Sequence, residues 1–232
     1  MTNSPNILGL RTAFFFNQEI ERPDKYFWGL LELIPEFDMM PTTQPLPDGI
    51  KTNGIPLMTF KSQSGVFACE IKLDRLDLFI LLENHFGVYG YDQIFSLYKE
   101  ISHKITNYIA SQPSITIKRM GMVGDYLIPT NEPIAHLHRM KNLPIEEDVI
   151  EFALRTNKRK QYADLQCNDI LIFDVAQIPL SNRNTLNGVI LSRDINNVPT
   201  HALTNETMFE FLEQVQEELS EARFKALAHV NE

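Results

Sequence analysis

The apolar positions in the stretch VFACEIKLDRLDLFI, residues 66–80, change parity halfway along. Apolar side chains occupy odd positions in the first half and even positions in the second half. Successive side chains of a strand point to opposite faces, so a change of parity requires a turn or a bulge. A two-residue turn at Asp74 and Arg75 would pair Leu73 with Leu76 and give both runs one apolar face. We therefore predict a hairpin, with a bulge in one long strand as the alternative.

The first half of the chain alternates strand and helix patterns around this hairpin. Residues 57–80 predict a three-stranded antiparallel meander, because a second turn signal, Gln-Ser-Gly, precedes the hairpin. The other predictions are a strand over 6–17, a helix between prolines over 23–37, an extended proline-rich crossing over 39–56, and an amphipathic helix capped by Asp92 over 91–111.

The second half presents a similar order of patterns. A strand is predicted over 114–129, followed by a short helix over 130–144 that is capped by Thr130 or Asn131. The remaining predictions are a second short helix over 145–156, a hairpin over 160–179 that turns at Asn168 and Asp169, a strand over 187–196, and a long helix over 204–228 capped by Thr204 or Asn205.

The two long helical patterns can be aligned with each other. An offset of 114 places Ile94 on Met208 and Ile101 on Val215, both apolar pairs, although amphipathic helices also align by chance. We predict an α+β fold in which antiparallel meanders pack on long helices. Its two similar halves, 1–112 and 113–232, would form one compact unit, with either two separate sheets or one curved sheet.

The charge balance narrows the class of partner. The chain has 21 Lys and Arg against 30 Asp and Glu, a net charge of −9. Nucleic-acid binding requires a locally basic surface, so we do not expect general nucleic-acid binding. The densest basic cluster, RTNKRKQY, contains Lys158, Arg159 and Lys160. We predict an exposed loop between a helix and a strand here, with an anion or phosphate contact as the alternative.

Features of the termini, apolar runs and cysteines predict a cytoplasmic protein. No apolar run reaches the roughly 18–20 residues that a membrane helix needs, so we expect no membrane association. The N-terminal residues MTNSPNILGL lack the basic and apolar regions of a signal peptide. Cys69 and Cys167, the only cysteines, are isolated and are expected to be buried and reduced.

The sequence lacks the common catalytic and cofactor motifs. It contains no Walker loop, dinucleotide fingerprint, nucleophile elbow or Cys-x-x-Cys pair. His136 and His138 have the one metal-like spacing, but residues two apart on a helix point roughly 200° away from each other. We therefore predict no catalytic residue, no metal and no cofactor.

Several segments of the chain resemble a known family. The segments FKSQSGVFACEIKLDRLDLFI, GYDQIFSLYKEISHKI and ITIKRMGMVGDYLIP, the last with Arg119-Met120-Gly121 at its core, are similar to a sporadically distributed family of uncharacterised prokaryotic proteins. The resemblance spans most of the chain, but the family usually continues with an Arg and an Asn where this chain has MVGDYLIP. It implies no catalytic residues, and the patchy occurrence of the family is associated with mobile or defence-related loci.

These observations favour a non-catalytic binding or assembly protein. It would oligomerise or dock to a protein partner, in a bacterial defence or toxin-linked system. The alternative is a small-molecule sensor or enzyme with a cavity between a curved sheet and a helix. The candidate ligand-binding residues are Arg119, Asp125, His136, His138, Asp174 and Arg193. A third hypothesis is anion or local nucleic-acid contact through Lys158, Arg159 and Lys160.

Overall fold

The computed structural model describes residues 6–44, 54–82, 85, 89–141, 149, 151–179 and 185–228. Within these ranges the chain forms nine strands and six helices. The strands are β1 (Asn6–Phe16), β2 (Thr42–Thr43), β3 (Met58–Lys61), β4 (Phe67–Ile71), β5 (Arg75–Leu81), β6 (Ile117–Pro129), β7 (Ala153–Tyr162), β8 (Leu165–Pro179) and β9 (Thr185–Asn197). The helices are α1 (Asp24–Phe27), α2 (Leu30–Leu33), α3 (Tyr91–Ala110), α4 (Pro133–Lys141), α5 (Asn205–Glu218) and α6 (Glu221–Ala228).

All the described strands belong to one antiparallel sheet. Their order across the sheet is β2-β3-β4-β5-β1-β6-β9-β8-β7, so that β1 and β6 lie side by side at the centre. The predicted α+β class with an antiparallel sheet is confirmed. Strands from both 1–112 and 113–232 join the same sheet, so the alternative of two separate sheets is wrong.

The predicted hairpin at the change of parity is present, with its turn one residue earlier. The turn consists of Leu73 and Asp74 rather than Asp74 and Arg75, and Ile71 rather than Leu73 pairs with Leu76. The predicted register was therefore wrong by two residues along one strand. A shift of two residues keeps every side chain on its face, so the apolar sets of β4 and β5 still share one buried surface.

Tertiary contacts break the predicted helix over 23–37 into α1 and α2. The Tyr108 hydroxyl of α3 donates to the carbonyl of Tyr26 at 2.6 Å. A Cβ on Gly29 would lie 2.8 Å from that hydroxyl, so glycine permits this close approach. At the other end of α3 the predicted Asp92 cap is wrong, because Gly90 precedes the helix and Asp92 lies in its first turn.

The basic segment is a strand rather than a loop. Residues 153–162 pair with β8 along their whole length as β7. The predicted helix over 145–156 is wrong where it overlaps this strand, and residues 145–148 and 150 lie outside the described residues. The segment extends because its neighbour β8 supplies a continuous backbone ladder, which the local pattern of charges did not reveal.

The hairpin that joins β7 to β8 turns at Ala163 and Asp164. Their φ angles are 48° and 58°, the left-handed geometry of a two-residue hairpin turn. The predicted turn at Asn168 and Asp169 is wrong, because both residues lie inside β8. Asp169 is buried against cations, and this pairing compensates a carboxylate in a strand interior.

The predicted last helix over 204–228 divides into α5 and α6. Thr204 caps α5 as predicted, since its hydroxyl accepts a hydrogen bond from the Thr207 amide at 3.1 Å. The helix ends because the carbonyl of Leu219 accepts hydrogen bonds from the hydroxyls of Tyr91 at 2.7 Å and Tyr126 at 2.8 Å. These bonds satisfy the carbonyl without a further helical turn.

The described helices pack on one face of the sheet. The contacts that place them there are Phe16 with Phe27 of α1, Thr12 with Tyr98 of α3, Phe173 with Lys141 of α4, Arg193 with Glu218 of α5, and Tyr126 with Phe224 of α6. Helix α2 reaches this layer through α3. The hydrophobic core therefore lies between this face and the helices, and no described helix covers the opposite face.

Two further expectations can be compared with the structure. Cys69 and Cys167 are both buried and unbridged, as predicted. Among the described residues, no helix combines the length and the apolar character that crossing a lipid bilayer demands.

The pairing of β6 with β9 depends on a close approach at Gly188. A Cβ at this position would lie 2.6 Å from the carbonyl oxygen of Ile128. We expect Gly188→Ser to lower the free energy of unfolding by about 1–3 kcal/mol, because a backbone atom must move to admit the side chain. Urea denaturation of both variants measures this, with Gly90→Ser as the control, since no atom would lie within 4 Å of its Cβ. Equal midpoints for the two variants would contradict the close approach.

Candidate docking surface

The face of the sheet opposite the helices is here called the helix-free face. Thr12 of β1 points toward the helices, so the odd residues of β1 and their cross-strand partners lie on the helix-free face. This face is formed by Arg11, Ala13 and Phe15 of β1, Arg75, Asp77 and Phe79 of β5, Arg119, Gly121, Val123 and Asp125 of β6, Ser192, Asp194 and Asn196 of β9, Asn168, Ile170, Ile172 and Asp174 of β8, and Arg155, Asn157 and Arg159 of β7.

Aromatic rings on this face support three guanidinium groups. Phe15 lies between its cross-strand neighbours Arg75 and Arg119, whose guanidinium carbons are 5.6 and 5.0 Å from the ring centroid. The guanidinium carbon of Arg11 lies 5.3 Å from the centroid of Phe79. Each cation is held over an aromatic ring by attraction to its electron-rich face. Arg11, Arg75 and Arg119 around Phe15 are here called the cationic patch.

A buried carboxylate orients two members of the cationic patch. Asp77 is 0% exposed, and its oxygens lie 2.7 Å from Arg11, 2.8 Å from Arg75 and 3.0 Å from Lys72. Lys72 is also 3.2 Å from Glu70. A buried carboxylate is tolerated only when such partners replace its hydration. Asp77 therefore holds the two arginines in place while the cluster keeps an excess of positive charge.

A chain of polar side chains continues across the sheet from the cationic patch. The amide oxygen of Asn196 accepts from Arg119 at 2.9 Å and from Asn168 at 3.0 Å. The amide nitrogen of Asn196 donates to Asp194 at 2.8 Å. The hydroxyl of Ser192 donates to Asp125. The connected contacts therefore lead from Arg119 on β6 through Asn196 to Asp194 on β9.

Three carboxylates mark the other side of the helix-free face. They are Asp125, Asp174 and Asp194, here called the acidic patch, and Asp174 is exposed. Val123, which is partly buried, lies between Arg11 of the cationic patch and Asp194 of the acidic patch. The face therefore carries the cationic patch and the acidic patch on either side of an apolar position, with two further arginines of β7 beyond the acidic patch.

The structure does not bring the six predicted ligand-binding residues into one cavity. Arg119, Asp125 and Asp174 lie on the helix-free face, whereas Arg193 points to the helix-packed face. His136 and His138 lie on α4. The Nε2 atom of His136 has no hydrogen-bond partner among the described residues, and burial lowers the pKa of this imidazole.

Arg193 has a structural environment that accounts for its burial. Its guanidinium donates two hydrogen bonds to Asp169, at 3.0 and 2.9 Å, and one to the carbonyl of Glu218 at 2.6 Å. Lys160 lies 2.6 Å from the same Asp169 carboxylate. Burial alone would raise the pKa of Asp169, but the hydrogen bonds from Arg193 and Lys160 outweigh it and hold this pKa below its usual value. The cluster fastens the end of α5 to the sheet.

The three predicted anion-binding residues do not share a face. Along β7, Lys158 and Lys160 point to the helix-packed face and Arg159 points to the helix-free face. Lys160 is already paired with Asp169. A phosphate on one side of the strand would therefore meet only part of the cluster.

The described residues present no metal-ligand cluster and no reactive thiolate. They contain no cluster of three or more His, Cys, Asp or Glu side chains that could hold a metal ion. Burial raises the pKa of the Cys69 thiol, and burial raises that of Cys167 to about 11, so neither is a reactive thiolate near neutral pH. A groove of about 280 Å³ lies between α3 and α5, and a cleft of about 390 Å³ lies beside Phe16 and Lys25.

Sequence reasoning missed the residues that organise the helix-free face. These residues alternate along β1 and β5 with the apolar residues of the core. They are Arg11, Phe15, Asp77 and Phe79. The available signal was an arginine and a carboxylate two positions apart in one strand pattern, as in RLD at 75–77.

No protein-family model matches the chain, and no curated protein matches it in sequence. The assignment of this surface therefore depends on its geometry and chemistry alone.

Loss of the Asp77 charge leaves its cations without their common partner. We expect Asp77→Asn to lower the free energy of unfolding by about 3 kcal/mol. This loss is at the low end of the range for breaking a buried ion pair, because two of the cations keep contact with water. Asp174→Asn, on the same face but exposed, is the matched control and should change stability by less than about 0.5 kcal/mol. Guanidinium denaturation compares them, and similar losses would show that Asp77 does not organise the patch.

The low pKa of Asp169 makes part of the stability dependent on pH. The folded-state pKa lies below the unfolded value of about 3.9, so the stabilisation is fully present well above that pH. It is lost as the pH falls through the folded-state pKa. We expect the stability difference between the native protein and Asp169→Asn to be largest near pH 7 and to shrink below about pH 4. A difference that stays constant between these pH values in urea titrations would contradict the assignment.

Proposed function

We propose that the protein is a non-catalytic assembly protein and that a second copy of the chain covers its helix-free face. The observation that carries this proposal is the separation of the cationic patch from the acidic patch on a face that no described helix covers. A surface with this separation is complementary to itself. A two-fold axis between two opposed faces, passing between the patches, would set the cationic patch of each copy over the acidic patch of the other.

The composition of the helix-free face supports burial in an interface. Arginine and aromatic side chains are enriched where interfaces are strongest, and Phe15 and Phe79 with their stacked guanidinium groups provide both. These groups are already ordered by Asp77, so less side-chain entropy would be lost on association. The apolar residues Val123 and Ile170 would leave water in the same contact.

The extent of the helix-free face is of the same order as a standard interface. Strand spacing and rise give each face position a flat area of about 30 Å², so the 20 positions named above offer about 600 Å² before the relief of the side chains is added. A standard interface buries about 800 Å² per partner. Opposed sheets pack about 10 Å apart, a distance that the arginine and phenylalanine side chains can span.

The order of elements supports a second part of the proposal, that the chain consists of two related halves packed on long helices. Each half begins with a strand, continues through a helical segment and antiparallel strands, and ends in a helix. The halves are 1–112 and 113–232. The opening strands β1 and β6 lie together at the centre of the sheet. The setting in a bacterial defence or toxin-linked system is proposed from the family resemblance alone.

A small-molecule sensor is the second candidate function. The groove between α3 and α5 is lined in part by Lys99, His103 and Gln216. The amide nitrogen of Gln216 is buried and has no hydrogen-bond partner in the part of the chain that the structure describes, which favours a polar ligand. That nitrogen is itself shielded from solvent, so a ligand in the groove would reach it only after a rearrangement. Assembly requires no such rearrangement.

Charge exchange between the patches tests the proposed dimer. We expect the native protein to have a dimer mass in light scattering at low ionic strength, and to dissociate as salt screens the patches. Arg119→Glu and Asp194→Arg should each give monomers, because each places like charges opposite one another. An equimolar mixture of the two variants should restore a dimer.

The control is Glu210→Lys, an exposed charge reversal on α5 that should leave the dimer intact. A monomer at every concentration of the native protein would overturn the proposed function. Two reversed variants that both remain dimeric would place the dimer contact elsewhere on the molecule.

A further inference from the structure

The outer edge of β7 is long, and it ends the sheet formed by the described strands. β7 pairs with β8 from Ala153 to Tyr162, and no described segment pairs with its other side. Most of its residues are exposed. Alternate backbone N–H and C=O groups of such an edge point away from the sheet and can bind another strand. The edge at the other end of the sheet is β2, which has only two residues.

The side chains of β7 give this edge a local positive charge on an acidic chain. Arg155, Lys158, Arg159 and Lys160 lie within one strand of a protein with a net charge of −9. Lys160 is paired with Asp169, whereas the other three make no ion pair with a described residue. Three cations are therefore available to an incoming strand.

Charge and geometry indicate which class of molecule this edge binds. A second copy is disfavoured, because antiparallel pairing of two β7 strands would oppose two sets of cations. A nucleic acid is disfavoured, because Arg155 and Arg159 point to one face of the sheet and Lys158 to the other. A phosphate backbone follows one face, whereas a peptide strand in the plane of the sheet presents side chains to both faces.

We propose that β7 accepts an extended acidic peptide segment of a partner protein as an additional strand. Backbone hydrogen bonds to the free edge supply affinity, and carboxylates opposite the three cations supply specificity. In an antiparallel partner, residues opposite Arg159 and Lys158 are adjacent, and the residue opposite Arg155 follows three positions later. The pattern recognised is Glu-Glu-x-x-Glu, with β-branched residues between the carboxylates. The inference goes beyond self-association and uses the outer edge of β7, although Arg155 and Arg159 also point to the helix-free face.

A synthetic peptide tests this inference on the full chain. The probe is a fluorescent peptide containing Thr-Val-Glu-Glu-Thr-Val-Glu-Thr, and fluorescence anisotropy measures its binding at low and moderate salt. We expect saturable binding that weakens with salt, together with slower hydrogen exchange of the amides within 153–162. A peptide with proline in place of the central threonine keeps its charge but loses a backbone donor, and it should bind at least tenfold more weakly.

Charge reversal in β7 provides the complementary arm. Arg155→Glu combined with Arg159→Glu should weaken binding of the acidic peptide at least tenfold and should create binding of the matching lysine peptide. Arg223→Glu, an exposed charge on α6, is the control and should bind the acidic peptide normally.

Two results would overturn the inference. Equal binding of the proline peptide would show charge attraction without strand pairing. An absence of binding at low salt would show that the cations only protect the edge from aggregation. Failure of the proposed dimer is separable, because Arg119→Glu should bind the peptide whether or not it dimerises.

Discussion

The fold depends on one constraint, that every described strand joins a single antiparallel sheet and the described helices cover only one of its faces. Alternation of side chains then divides each strand between two environments. In β1, Thr12 and Phe14 are fully buried under the helices, whereas Arg11 and Phe15 lie on the face that no described helix covers. The same division in β5 and β6 assembles the cationic patch from residues that are distant in sequence.

Two buried carboxylates perform similar tasks on opposite faces of this sheet. Asp77 orients Arg11 and Arg75 on the helix-free face, and Asp169 holds Arg193 under the end of α5. In both places a charge inside the structure is tolerated because it is fully paired. The first pairing holds two arginines on the helix-free face, while the second fastens the end of α5 to the sheet. The arginine that the sequence suggested as a ligand-binding residue, Arg193, therefore has a structural role.

The sequence predicted the features that depend on local periodicity. The parity change at residues 66–80 located the hairpin, the stripe from Ile94 to Ile105 located α3, and Thr204 located the start of α5. The errors arise where tertiary contacts outweigh local signals. Ala163 and Asp164 form a turn without glycine or asparagine, and the tyrosine hydroxyls that end α5 come from α3 and β6.

The candidate site was less accessible to sequence reasoning than the fold. Asp77 and Arg11 are far apart in the chain and meet only through the pairing of β5 with β1. The alternating pattern shows that such residues point away from the core, but it does not identify which strands become neighbours. The residues of the basic cluster, in contrast, are close together in the sequence, but the strand places them on two different faces.

The most direct test of the account is the accessibility of the centre of the helix-free face in solution. A thiol introduced by Val123→Cys lies between the two patches, and both native cysteines are buried. We expect alkylation of this thiol to slow as protein concentration rises through the dimerisation range, while a thiol introduced by Glu213→Cys on α5 reacts at a constant rate. An alkylation rate at residue 123 that does not depend on protein concentration would contradict coverage of this face by a second copy.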